Sequence, residues 1–234
     1  MTPTALSLLL AALPLFPHFP IAVPEAVFLK RGQTTRVVYG FGHPFEATRV
    51  AVARPKVWLY PPKGQRHALT PKATTFQEVQ AWAMDLTPKE RGDHLLVIEG
   101  QPVLHGRETL RDLVKVVIPV GGVERGWDRS LGLDLEIVPL TRPYGLTPGA
   151  SFRFLVLAKG KPVPGLTVQV ERLNAVPPKS LPPEPFRTGA EKLNPQGAGS
   201  ATLSARGWWI LAVEGPSQGG TRLRASLWVY VGKP

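Results

Sequence analysis

Apolar and β-branched residues recur along this chain in short runs, bounded by Pro, Gly and polar turn residues, and inside several runs they alternate with polar ones. Alternation at period two sets successive side chains on opposite faces of an extended strand, whereas a helix would need the apolar positions three and four apart. In residues 151–157 (SFRFLVL), Phe152, Phe154 and Val156 share one face; in residues 166–173 (LTVQVERL), Leu166, Val168, Val170 and Arg172 do. Such strands are half-buried. The pattern predicts strands at residues 34–39, 56–60, 79–86, 94–98 and 113–120, then at 133–138, 151–157, 166–173, 199–203, 208–214 and 222–230. Roughly eleven short strands with turn signals between them fit antiparallel sandwiches.

Two irregular stretches divide this pattern. Residues 121–132 (GGVERGWDRSLG) hold four glycines and no alternation, which places a domain boundary there. Residues 174–186 (NAVPPKSLPPEPF) hold five prolines but lie between strands of the second set, so they form a loop and not a linker. The expected fold is all-β: two antiparallel β-sandwich domains, residues 18–121 and 130–234, the second immunoglobulin-like or transthyretin-like.

Composition narrows the chemistry. With 26 Pro and 23 Gly among 234 residues, long helices and coiled coils are excluded, because each such residue costs a helix interior about 1 to 3 kcal/mol. The chain has no Cys, which removes disulfides, zinc ribbons, iron–sulfur clusters and thiol nucleophiles. No nucleophile elbow, dinucleotide-binding glycine motif or Walker loop is present, so no enzyme activity is expected.

Residues 5–16 (ALSLLLAALPLF) are apolar and far shorter than the about 20 residues a membrane-spanning helix needs, which fits the core of a signal peptide. Residues 1–17 are therefore expected to be a signal peptide or N-terminal leader. The protein is expected to be exported, periplasmic or extracytoplasmic, and tethered to the membrane if the leader stays uncleaved. The formal charge is +11, from 28 Lys and Arg against 17 Asp and Glu, spread through both halves without a basic run. That distribution argues against a nucleic-acid partner and suits solubility or peripheral contact with an anionic membrane surface.

With thiols absent, the five histidines are the foremost donors for a metal. His18 follows the leader directly, and cleavage before it would pair a free α-amine with its own imidazole. His43 stands in Gly42-His43-Pro44-Phe45-Glu46, where Pro44 forces an extended backbone at His43 and Glu46 is a candidate ligand or supporting acceptor. His94 begins a strand. His67 lies beside Lys63 and Arg66, whose charges repel a cation.

Longer strings carry a resemblance. Gly126-Trp127-Asp128, the run from Leu135 to Leu146, Gly160-Lys161-Pro162-Val163-Pro164-Gly165, Gly207-Trp208-Trp209 and the run from Ala225 to Tyr230 resemble a family of domain-of-unknown-function periplasmic proteins. That family accompanies energy-coupling-factor-type nickel and cobalt uptake transporters. His18-Phe19, His43-Pro44-Phe45-Glu46 and Gly92-Asp93 extend the similarity into the first half. The resemblance implies an extracytoplasmic, non-enzymatic two-domain β protein that binds Ni2+ or Co2+ and passes it to a membrane metal permease, with His18 and His43 as ligand candidates. Where the family pattern has an aromatic stretch ahead of Lys115, this chain has Leu104-His105-Gly106, so His105 is a further candidate ligand. The alternative expectation is a structural adaptor that docks on an envelope or transporter partner without binding metal.

Overall fold

The computed structural model describes residues 18–105, 107–183, 186–217 and 219–233; the expected leader lies outside them. They fold as β-sandwich structure without an α-helix among the described residues, in three sheets. The first sheet orders β1 (Phe19–Pro24), β2 (Thr35–His43), β7 (Val79–Leu86) and β6 (Lys72–Phe76), with β3 (Thr48–Val50) also on β2.

The second has nine strands. It orders β15 (Thr188–Lys192), β14 (Thr167–Arg172), β17 (Gly207–Glu214), β18 (Thr221–Val231), β10 (Glu108–Val120), β8 (Gly92–Glu99), β4 (Lys56–Tyr60) and β5 (His67–Leu69), with β9 (Val103–His105) on β10. The third joins β11 (Glu136–Pro139), β12 (Ala150–Ala158) and β13 (Lys161–Pro162), with β16 (Ala198–Leu203) on β12.

The two halves are not separate sandwiches, because the nine-stranded sheet runs through both of them. Strand β10 from the first half pairs in parallel with β18 from the second, from Thr109 opposite Thr221 to Val116 opposite Trp228. All other strand pairs are antiparallel. Alternation along β17 and β18 shows why both accept a two-sided position. Ile210, Ala212 and Trp228 enter the core of the first half, while Leu211, Val213, Leu227 and Val229 enter that of the second. A strand buried on both faces reads as an unbroken apolar run, which WWILAV is. The shared sheet is thus the middle layer, covered on one face by the β1–β2–β7–β6 sheet and on the other by the β11–β12 sheet.

Polar contacts lock this seam. Trp228 Nε1 donates to the Pro20 carbonyl at 3.1 Å, and Arg224 Nε and Nη2 donate to the two oxygens of Asp112 at 2.6 and 3.1 Å. Lys115, 2% exposed, donates to Glu136 at 2.6 Å, and Glu136 also accepts from Ser130 and the amides of Leu131 and Gly132. The glycine-rich stretch 121–132 carries no strand, yet its Trp127 and Leu131 pack with Leu95, Val117 and Tyr144 over the outer face of β8 and β10. It is a fitted cover, not a loose tether.

Candidate functional site

The site starts from the β1–β2 register. Phe19 lies opposite Gly42, so the next residue outward on each strand, His18 and His43, also face each other. Directly opposed residues of an antiparallel pair share a face and come within side-chain contact. The two imidazole centroids are 4.3 Å apart with the rings inclined at 49°, and Phe41 lies 6.0 Å from His18 on the same face. Gly42 permits this geometry, because a Cβ there would sit 2.0 Å from the Thr48 carbonyl oxygen of β3.

After His43 the chain turns through Pro44, Phe45 and Glu46, and the second half of the protein grips that turn. Asn174 donates its backbone N–H to the Pro44 carbonyl at 3.0 Å and its Nδ2 to the Phe45 carbonyl at 2.6 Å. Phe45 N–H donates to Glu171 Oε1 at 2.6 Å, while Thr188 donates to the other oxygen of Glu171 at 2.7 Å. Arg187 forms an ion pair with Glu46. These partners come from β14, β15 and the proline-rich loop between them.

Electrostatics favour a neutral imidazole at His18. Partial burial, the neighbouring His43 and the Arg224 guanidinium all lower its pKa below the ordinary 6.5, against a smaller upward pull from Glu46. Arg224 itself is buried, lies 5.8 Å from the Phe19 ring and 5.6 Å from the Phe41 ring, and is held by Asp112. A neutral imidazole presents a nitrogen lone pair, the form that binds a transition metal.

The structure therefore brings together His18 and His43, with Glu46 near enough to act on His18 but paired with Arg187. His105 lies on another sheet, in β9 opposite Glu108 of β10, and its side chain is outside what is described. Among the described residues no three His, Asp or Glu side chains are already gathered as a metal cage. Sequence reasoning did not find Glu171, Asn174, Arg187 or Arg224. Their signal is tertiary: the first three meet the histidine turn across more than a hundred residues, and Arg224 reaches the Phe19 and Phe41 rings from β18.

The profile of a family described as domain of unknown function (DUF4198) matches residues 15–217. No curated protein matches the chain. Among solved structures, a DUF4785 family protein from Legionella pneumophila aligns at 11% identity and TM-score 0.31, over 82% of this chain and 51% of that one. A bacterial ice-binding adhesin aligns at 10% and 0.28, over 91% and 64%, and the fibronectin(III)-like modules of Clostridium thermocellum CbhA at 10% and 0.25, over 91% and 95%. The chain spans about half to two thirds of the length of the first two.

Proposed function

The chain belongs to the DUF4198 family, and from that premise we propose that it is a non-enzymatic, extracytoplasmic accessory protein that binds Ni2+ or Co2+ as cargo for a membrane metal permease. The observation that supports this reading is the 4.3 Å approach of the His18 and His43 rings. Two residues separated by the whole length of β1 and β2 have their imidazole rings in contact. The donor set suits the borderline ions Ni2+ and Co2+, for which imidazole is a preferred ligand. Glu46 supplies a third donor if Arg187 shares its carboxylate, and export processing before His18 supplies the α-amine of that residue.

Two protein nitrogens with water in the remaining positions make an exchangeable complex, as a cargo carrier requires. Protons compete with the ion for each imidazole, so acidification releases it.

Isothermal titration of the full chain with NiCl2 and CoCl2 tests the proposal. We expect binding tighter than millimolar, weakened by His18→Ala and by His43→Ala individually. Affinity should fall by about tenfold per pH unit for each imidazole once the pH is below its pKa. If neither ion binds, the chain is the metal-free adaptor instead; if an ion binds and neither substitution matters, the histidine pair is not its site. Intact mass of the secreted protein reports whether His18 is the first residue.

A further inference from the structure

His67 and His94 line a cleft of about 450 Å³ on the nine-stranded sheet, bounded by the turn before β5 and by residues 85–90 that lead from β7 towards β8. Leu59 of β4 pairs with His67 of β5 and with Leu96 of β8, so His67 and His94 lie on one face, two strands apart. Nothing in this cleft depends on the His18–His43 pair.

His94 is the unusual residue. It is 2% exposed, yet its Nδ1 is buried without a hydrogen-bond partner. A buried nitrogen left unpaired costs about 1 to 3 kcal/mol, so an orphan of this kind calls for an explanation. A buried imidazole with a nitrogen free of any protein partner is available as a metal ligand.

The surrounding charge is mixed. Arg66, adjacent to His67 in sequence, points to the opposite face, where it stacks 4.3 Å over Trp58 and donates to the Tyr60 hydroxyl at 2.8 Å. The repulsion expected at His67 from that neighbour is thereby removed. The remaining charged residues lining the cleft are Lys63 and Lys89 against Glu90 and Asp85, the last paired with Arg36 and Lys72, and Arg129 acts on His94 from outside it. His67 and Glu90 are exposed and free to change rotamer, whereas His94 is fixed.

We infer that this cleft is a second site for a divalent first-row transition ion, held by His94 with His67 and Glu90 closing on it. Two imidazoles and one carboxylate form a donor set suited to Zn2+ or Co2+ that leaves at least one position to water.

The test uses the full chain carrying His18→Ala and His43→Ala, titrated with ZnCl2 and CoCl2, with the visible spectrum of Co2+ reporting imidazole ligation. One equivalent should still bind. Adding His67→Ala, an exposed change that spares the fold, should weaken it roughly tenfold or more. Adding Glu90→Gln should weaken it less. No binding tighter than millimolar in the parent double variant, or affinity unchanged by His67→Ala, overturns the inference. The site at His18 and His43 is judged separately, by the equivalent that the double substitution removes from the wild-type chain.

Discussion

Asp93 shows how one buried side chain sets a pH dependence that no motif announces. It is fully buried, accepts a hydrogen bond from Tyr144 at 2.7 Å through one oxygen, and leaves the other unpartnered. Burial raises its pKa from 3.8 to about 6, against smaller downward pulls from Tyr144 and the Arg125 backbone. A carboxyl whose folded pKa is raised contributes stability that is complete below its unfolded pKa and lost as pH rises through the folded one. Asp93→Asn should therefore leave stability nearly unchanged at pH 3.5 and raise it by up to about 3 kcal/mol at pH 8. Urea unfolding at the two pH values measures this, and equal effects at both would contradict it. At the same scale, the histidine pair was legible because His18 adjoins the segment expected to be a leader and His43 sits in a long motif. The orphaned nitrogen of His94 was not, since being unpartnered is a property of surroundings that only the fold supplies.

Among the elements, the eleven strands read from the sequence are all present; about half of their ends lie one to five residues further out, and the rest coincide or fall one to three residues short. The ones missed share a cause. Strand β1 (FPIAVP) carries Pro20 and Pro24, which argue against a strand in sequence but are tolerated where their positions need no donated hydrogen bond. Strands β6 (KATTF) and β15 (TGAEK) are polar sheet edges, and edges need little apolar patterning. The proline-rich segment was correctly read as a loop, but its task was hidden: its ends hold the turn that follows His43. Asn174→Ala removes the donor to the Phe45 carbonyl and should cost about 1 kcal/mol of stability. It should weaken Ni2+ binding roughly tenfold by loosening His43, as the loss of a group supporting a ligand commonly does. Titration beside thermal unfolding separates these effects; unchanged affinity would show that the clamp does not position the imidazole.

For the whole molecule, the continuous sheet was beyond reach of the sequence, because a parallel contact between distant strands leaves no local pattern. Residues 18–121 alone would lack β18, the Trp228 side chain and its bond to Pro20. The expectation is one cooperative unfolding transition for the full chain and no stable fold for that fragment. Calorimetry showing two resolved transitions would contradict it.

Asp112 must find Arg224, 112 positions further along the chain. Loop closure over such a span is slow, and chains dominated by distant contacts fold slowly. During synthesis the early strands would wait, with one flank of β10 unsealed, until most of the polypeptide has emerged. That delay prolongs the exposure of an unpaired strand edge, the state in which a nascent sheet is most open to pairing with another chain.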